Sequence, residues 1–464
     1  MSATRVRMGL GIVLLGVLML GLTPYPRDFV EAVRRAETHR SALEYGVALE
    51  SYRLAAHIDP RTPLPCQRQG EILLQQHRWA EAEVAFAEAS RRQGGLEALL
   101  GRGESQAGRG DWAAAIHTWL GALALSPKEP RVYLALGRAA IAQGRFDEAQ
   151  QRLERTLSLQ PLPETTREAH ALLGRLLLTD DPAAAAVHLE RAGDLDLLAV
   201  LEAVQAQTSP GSKALLAGVA LLQRRELPLA CHYLEQATVA TPADARPRAY
   251  LAYTLDQLGE TVAARDLLEQ ALQIDVGEAM AYYFLGLHER DVGRLKKAQE
   301  AFEQALRLDP ENAAFHVEMA ETFLLLGDYD HAEEWYQAAA DLEGDNVDLN
   351  LLLTRFYLDR LYRVMDGGLP AAQSTVALAP ENAQAHDLLG WAYYLTGRPL
   401  EAQQSLATAL SLDPHLVSAH YHLGSVYATT GPQALARQHL QRAADLDTEG
   451  YYRRRALAIL ADLE

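Results

Sequence analysis

Histidine and cysteine are the residues of this sequence whose chemistry could build a metal or redox site. His415, His420 and His422 fall within one short stretch. His420 and His422 are two positions apart, so on a helix their side chains point about 200° away from each other and cannot share a metal as an i, i+4 pair does. Cys66 and Cys231 form no CxxC motif, which is typical of buried small apolar residues. We therefore expect no metal, no cofactor and no disulfide.

Motifs for nucleophilic or phosphate-transfer catalysis are missing from the sequence. It contains no GxSxG, no glycine-rich phosphate loop and no HExxH. Asp and Glu number 61 against 43 Lys and Arg, a formal net charge of -18, which argues against a basic face for nucleic acid. With 49% hydrophobic and 22% charged residues, the composition is that of a folded body with a large core. These features predict a protein that is not an enzyme.

The elements that position these residues follow a regular alanine repeat. Four residues after each repeated alanine comes a large apolar residue, such as Trp119 or Phe302, and seven residues after most of them a second alanine. The spacing i, i+4, i+7 marks one face of a helix. The alanines recur at intervals of 33 or 34 within each run: Ala48, Ala82, Ala115 and Ala149, then Ala230, Ala264, Ala298 and Ala332, then Ala402 and Ala436.

A second, small residue precedes most of these alanines by twelve positions, as Gly103 and Gly286 do. Two helices about 8 to 10 Å apart approach closely where one side chain is a hydrogen or a methyl group. Proline often follows the alanine by twelve positions, as Pro310 and Pro414 do, and it prevents the helix from continuing. Each unit is therefore predicted to be a helical hairpin.

This pattern resembles the tetratricopeptide repeat family, most clearly over Tyr282 to Pro310 and Leu388 to Pro414. The resemblance extends from about Asp28 to Asp447. It implies an all-α fold, a right-handed superhelical solenoid of about 12 helix-turn-helix repeats. It also implies that the first helices line a concave groove, which is the usual binding surface for a protein or peptide.

The repeats frame the domain organisation. Units start near residues 29, 63, 96, 130, 167, 211, 245, 279, 313, 347, 383 and 417. We predict a first block over 28–192, an irregular connecting helix or linker over 193–210, a second block over 211–448 and a capping helix over 449–464. The units near 167 and 347 depart from the pattern, the second because Gly367 and Gly368 stand where the alanine belongs. Kinks are expected at those two places.

The resemblance also implies which side chains face the groove. In the C-terminal half they are aromatic with a few charges, a mixture typical of peptide recognition: Tyr253, Asp256, Tyr283, Arg290, Asp291, Glu321, Asp387, Trp391, Tyr394 and Tyr421. In the N-terminal half they are more polar: Gln67, Glu71, Gln75, Glu97, Glu104, Arg131 and Arg138. The alternative is that both sets are only the solvated inner face of a solenoid. The lysines and asparagines with which some family members clamp a C-terminal carboxylate are absent from these positions.

The N-terminal segment 1–27 carries a targeting or anchoring signal. Met8 to Leu22 is an unbroken 15-residue apolar run, preceded by Arg5 and Arg7. As a helix it would rise about 22 Å, which fits either a secretory signal or a short span. Because the run ends without an A-x-A arrangement, we favour an uncleaved single-pass anchor in a bacterial inner membrane. The short N-terminal tail is the easier part to keep inside, which favours a repeat body outside the cytoplasm.

Together these features predict a membrane-anchored scaffold that binds proteins or peptides in its groove. Two alternatives stay open: an accessory subunit of a secretion, pilus or polysaccharide-export apparatus, and a substrate-selecting subunit of a transferase. Self-association of the repeats is a third possibility. The sequence predicts no nucleic-acid partner.

Overall fold

The computed structural model describes residues 25–447 and 450–463. Within these residues the chain forms twenty-six α-helices and one π-helix, and no strand. The prediction of an all-α solenoid of helix-turn-helix repeats is confirmed. By their internal contacts the described residues divide into two compact units, 25–135 with 427–447 and 450–463, and Leu136–Val426.

The helices follow one another with short turns. Those up to residue 206 are α1 Arg27–Ser41, α2 Tyr45–Ile58, α3 Leu64–Gln75, α4 Trp79–Arg91, α5 Gly95–Gly108, α6 Trp112–Leu125, α7 Pro130–Ala142, α8 Phe146–Ser158, α9 Pro163–Leu176, α10 Pro182–Ala192 and α11 Leu195–Ala206. The next group is α12 Pro210–Gln223, α13 Leu227–Ala240, α14 Ala245–Gln257, α15 Thr261–Ile274, α16 Ala279–Asp291, α17 Leu295–Leu308, α18 Ala313–Leu326 and α19 Tyr329–Leu342.

The remaining helices are α20 Val347–Asp359, the π-helix Val364–Gly368, α21 Leu369–Leu378, α22 Ala383–Leu395, α23 Pro399–Leu412, α24 Val417–Thr430, α25 Gln433–Leu446 and α26 Tyr451–Asp462. The first helix of each predicted repeat begins at, or within two residues of, its predicted start, with one exception. The repeat expected near 167 begins at Pro163, because proline suits the first turn of a helix, where its missing N–H costs no hydrogen bond.

Close contact between a glycine and a large side chain holds the two helices of a hairpin together. A Cβ placed on Gly103 of α5 would lie 2.2 Å from Nε1 of Trp119 in α6, and one on Gly286 of α16 would lie 2.5 Å from the Phe302 ring in α17. Trp119 and Phe302 are fully buried. The periodic glycine is therefore required by the volume of the ring that packs onto it.

The turn inside a hairpin needs a residue in the left-handed region. Gly144 has a φ of +69° between α7 and α8, and Gly293 a φ of +79° between α16 and α17. The N–H of Arg145 then donates to the carbonyl oxygen of Ala140 at 2.8 Å, which satisfies one of the carbonyls left open at the helix end.

The unit with Gly367 and Gly368 adopts a π-helix in place of the expected helix start. A Cβ on Gly367 would lie 2.5 Å from the Tyr357 ring, and one on Gly368 would lie 3.1 Å from the side chains of Tyr357 and Leu358. The two glycines therefore let α20 approach this segment, as the alanine does in the regular repeats. The second helix of this unit, α21, is shortened to ten residues.

The C-terminal hairpin of the first unit lies against the N-terminal repeats of that unit. Arg442 of α25 donates to the carbonyl oxygens of Ala42 and Leu43 at 3.1 and 3.2 Å. Gln76 donates to the carbonyl oxygen of Asp445 at 3.4 Å. α26 packs on α25 through the fully buried Ala456.

The predicted membrane anchor, Met8 to Leu22, lies outside the residues that the structure describes. Within 25–447 and 450–463, none of the helices has the length and apolar character needed to cross a bilayer.

Gly103→Ala tests the steric account of the hairpin, with Gly121→Ala as its matched control in α6. Gly103→Ala should lower the free energy of unfolding by about 1–3 kcal/mol, because Trp119 must move to admit the methyl group. No atom lies within 4 Å of a Cβ built on Gly121, so Gly121→Ala should raise stability by about 0.5–1 kcal/mol through helix propensity. Thermal unfolding followed by circular dichroism compares the two; equal stabilisation by both changes would refute the steric account.

Candidate functional site

The candidate site lies on the first helices of the repeats in the unit Leu136–Val426. We call the surface formed by α14, α16, α18, α20, α22 and residues 417–426 of α24 the first-helix face. All ten residues predicted for the C-terminal half of the groove lie on these helices. Contacts between neighbouring helices bring most of them into two clusters.

The first cluster, which we call the Tyr283 cluster, contains Tyr253, Tyr283, Phe284 and Phe315. The ring of Tyr253 stacks on Phe284 with centroids 4.7 Å apart, and Tyr283 stacks on Phe315 at 4.9 Å. Each aromatic pair of this kind contributes about 0.5–1.5 kcal/mol beyond area burial. Phe284 and Phe315 are buried, whereas the two tyrosines remain partly exposed. The cluster is thus a rigid aromatic surface that spans α14, α16 and α18.

A partly buried ion pair adjoins the Tyr283 cluster. The guanidinium of Arg290 donates to the carboxylate of Glu318, and each side chain is about one-fifth exposed (17% and 20%). Burial raises the pKa of the Glu318 carboxyl, and Arg290 opposes that rise. Burial likewise raises the pKa of Tyr283, with a smaller contribution from Glu318. The sequence analysis predicted Arg290 as a groove residue but not Glu318. A signal was present, because Glu318 is a charged residue between the apolar residues Val317 and Met319.

The second cluster, the Trp391 cluster, is built on α22 and α24 from Asp387, Trp391, Tyr394, Tyr421 and His422. The Trp391 ring stacks on His422 with centroids 4.3 Å apart and an interplanar angle of 16°, and on Tyr394 at 5.0 Å and 25°. The ring of Tyr421 is tilted toward Trp391 at 6.5 Å. Trp391, Tyr394 and Tyr421 stay partly exposed, so the cluster presents aromatic surface to solvent.

Two of the predicted groove carboxylates have internal partners. Asp387 is only 3% exposed, and His422 Nδ1 lies 2.8 Å from its Oδ1. Asp256 and His288 repeat this arrangement at 2.8 Å between α14 and α16. Each of these two carboxylates therefore has a histidine partner within the fold.

Of the other predicted charged side chains, Glu321 has a hydrogen-bond partner and Asp291 is exposed. Glu321 accepts a hydrogen bond from the Tyr336 hydroxyl, and burial raises the pKa of Tyr336. Asp291 is exposed at the end of α16. Among the described residues, no group of three or more His, Cys, Asp or Glu side chains has the arrangement that would hold a metal ion.

Residues of the polar set predicted in the N-terminal half also form contacts with other residues of the protein. In the first unit, Arg131 pairs with Glu97 at 2.7 Å, and Gln67 donates to the carbonyl oxygen of Gly94 at 2.9 Å. In the second unit, Arg138 lies 3.6 Å from Glu168. These contacts tie successive repeats together.

A cavity of about 440 Å³ opens between α18 and α20, beside the Tyr283 cluster. Val317, Leu351 and Leu352 contribute apolar side chains to its lining, and Glu318 connects it to the ion pair with Arg290. Its volume falls within the range of about 300–1,000 Å³ typical of ligand pockets.

Family models for the tetratricopeptide repeat match several segments of the chain. One matches residues 68–130, 283–346 and 396–450, a second matches 106–176, and a third matches 245–270. Together these ranges cover more than half of the sequence. No curated protein matches the chain.

Solved structures with similar architecture include yeast Tom70, with 15% identity and a TM-score of 0.42 over 86% of this chain and 96% of that chain. The Cut9–Hcn1 hetero-tetramer of the APC/C has 14% sequence identity and a TM-score of 0.39, over 96% of this chain and 92% of that chain. YrrB, a tetratricopeptide repeat protein described as having an unusual peptide-binding site, has 22% sequence identity and a TM-score of 0.33. The match covers 40% of this chain and 95% of that chain.

Asp387→Ala tests whether this carboxylate is structural, with Asp291→Ala as the exposed control. Removing Asp387 leaves the buried His422 without its acceptor, so stability should fall by about 1–3 kcal/mol. Asp291→Ala should change stability by less than about 0.5 kcal/mol. Chemical unfolding followed by circular dichroism measures both. Equal stability of the two variants would show that the Asp387–His422 contact contributes nothing to the fold.

Proposed function

Because the chain belongs to the tetratricopeptide repeat family, a family of protein-interaction scaffolds, we propose that it is a membrane-anchored scaffold that binds proteins or peptides on its first-helix face. The observation that carries this proposal is the partly exposed Trp391 cluster. Stacked aromatic rings held by a buried Asp–His pair lose little side-chain entropy when a partner covers them.

The distribution of polar groups also favours binding over chemistry. On the first-helix face, Asp256 and Asp387 each contact a histidine, and Arg290 forms an ion pair with Glu318. A general acid or base needs a group that can reach a substrate. Trp391, Tyr394 and Tyr421 remain partly exposed on this face, and aromatic anchors are the residues that contribute most to protein interfaces.

Membrane attachment is the second part of the proposal. The apolar run Met8 to Leu22 with Arg5 and Arg7 before it has the composition of a short single-pass anchor with arginines that reach the headgroups. We propose a bacterial inner membrane as its location, with the repeats outside the cytoplasm. A scaffold attached in this way raises the local concentration of its partners at the membrane surface.

Trp391→Ala combined with Tyr394→Ala tests the binding face. Partners captured by the tagged full-length chain in its native host, after crosslinking and identification by mass spectrometry, should be lost from this variant while its helical circular dichroism is unchanged. Tyr451→Ala, which removes a 46% exposed tyrosine from α26, is the control and should keep them.

The capture experiment is informative in two further ways. Undiminished capture by the double variant would rule out the Trp391 cluster as the binding surface. The identities of the captured proteins also separate the alternatives: pore or export proteins would favour an apparatus subunit, and a catalytic subunit would favour a role in selecting substrates for a transferase.

Deletion of residues 8–22 tests the anchor. The full chain should sediment with membranes and resist extraction by high salt, and the deletion variant should move to the soluble fraction, because an apolar segment of this size holds the chain in the bilayer. Protease added to cells with a permeabilised outer membrane should remove a tag placed at Glu464 if the repeats lie outside the cytoplasm. A full chain that is soluble from the outset would contradict the anchor, and a protected tag would contradict the orientation.

A further inference from the structure

The cavity between α18 and α20 has a feature that the aromatic clusters lack, a rim of carboxylates. Glu318, Glu343 and Asp348 line it, and Arg355 is the only cation among its lining residues. Neutral and apolar side chains make up the rest of the wall. The cavity therefore combines apolar lining residues with an excess of negative charge, in a protein whose formal net charge is -18.

The charges around the cavity are not balanced internally. Glu318 is paired with Arg290, which leaves Glu343 and Asp348. Neither of these two carboxylates forms an ion pair within the described part of the chain, and both are exposed. Arg355 donates to the amide oxygen of Gln384 at 3.0 Å, so its contact is with a neutral group.

Local structure explains part of this arrangement. Asp348 lies in the first turn of α20, where a negative charge is favourable beside the helix N-terminus, and Glu343 accepts a hydrogen bond from Asn346 at 2.8 Å. Neither contact requires an open cavity lined by the partly exposed Val317 and Leu352. Exposed apolar surface with a polar rim is typical of an interaction site.

We propose that this cavity binds a basic, aliphatic segment of a partner protein. An aliphatic side chain of the segment rests on Val317 and Leu352, and a neighbouring Arg or Lys forms ion pairs with Glu343 and Asp348. The Tyr283 cluster lies beside the cavity through Glu318, so the segment can continue from the cavity along the first-helix face. This inference deepens the proposed function, since it rests on that face being the binding surface, and it specifies the chemistry of the partner.

Charge and apolar contact make separable contributions to such a complex. Opposite charges at an exposed rim steer association and weaken with added salt. Burial of an aliphatic side chain is driven by removal of apolar area from water and is insensitive to moderate salt. A segment that is basic but not aliphatic therefore makes only the ion pairs at the rim. A segment that is aliphatic but acidic makes only the apolar contacts.

The test uses three fluorescein-labelled synthetic peptides, GLRLRG, GLELEG and GSRSRG, and the purified full-length chain in detergent. Fluorescence anisotropy should show binding of GLRLRG, weakened by raised salt, with at least about tenfold weaker binding of the other two. Glu343→Gln with Asp348→Asn should weaken GLRLRG binding by at least about tenfold. Glu300→Gln, which neutralises an exposed carboxylate on α17, is the control and should leave the affinity unchanged.

A second readout locates the peptide. GLRLRG carrying a benzophenone in place of its second leucine should crosslink to α18 or α20, as mapped by mass spectrometry, and Leu352→Asn should abolish that crosslink while helical content is retained. Binding of GLELEG as tight as that of GLRLRG, an unchanged affinity in the Glu343/Asp348 variant, or crosslinks only outside these two helices would each overturn the proposal.

The outcomes also separate this inference from the function on which it rests. If native partners are lost from the Trp391/Tyr394 variant but retained by the Glu343/Asp348 variant, the face binds proteins and the cavity is not the basic-segment site. If the peptide responds as expected but native capture survives loss of Trp391 and Tyr394, the cavity binds and the Trp391 cluster does not.

Discussion

The repeats depend on one steric constraint, the fit of a large side chain on the second helix against a glycine or alanine on the first. Trp119 against Gly103 and Phe302 against Gly286 leave no room for a methyl group. Because interiors are packed to crystal-like density, this fit fixes how the two helices of a hairpin face each other. It also fixes which side chains of the first helix remain on the surface, and so it determines where a binding face can form.

The same packing accounts for the polar residues that would otherwise be candidates for chemistry. Neighbouring first helices lie close enough for Asp256 to meet His288, for Asp387 to meet His422 and for Arg290 to meet Glu318. Buried polar groups are retained where they find partners, and here the partners come from the next repeat. The pairs therefore join one hairpin to the next, and in the Trp391 cluster His422 also supports the aromatic surface proposed to meet a partner.

The sequence predicted much of the fold, because the steric constraint repeats along the chain. It located the start of nearly every first helix, and the structure has the helix α11 within the segment 193–210 that the sequence marks as an irregular connecting helix or linker. It did not foresee the π-helix at Gly367 and Gly368, since the Tyr357 ring that requires two glycines lies in the preceding helix. The candidate site was less accessible to prediction. The ten predicted residues lie on first helices of the repeats, and their role in binding stays a prediction. The partners His288, His422 and Glu318 come from adjacent repeats, and single-residue periodicity does not encode contacts between side chains about thirty positions apart.

Site-specific photo-crosslinking in the native host tests the central claim, that recognition occurs on the first-helix face, most directly. A photoreactive residue in place of Tyr394, on that face, should give discrete covalent adducts with partner proteins. The same residue in place of Leu400, which is 77% exposed on the second helix α23, should give none. Adducts from position 400 with none from position 394 would contradict the account.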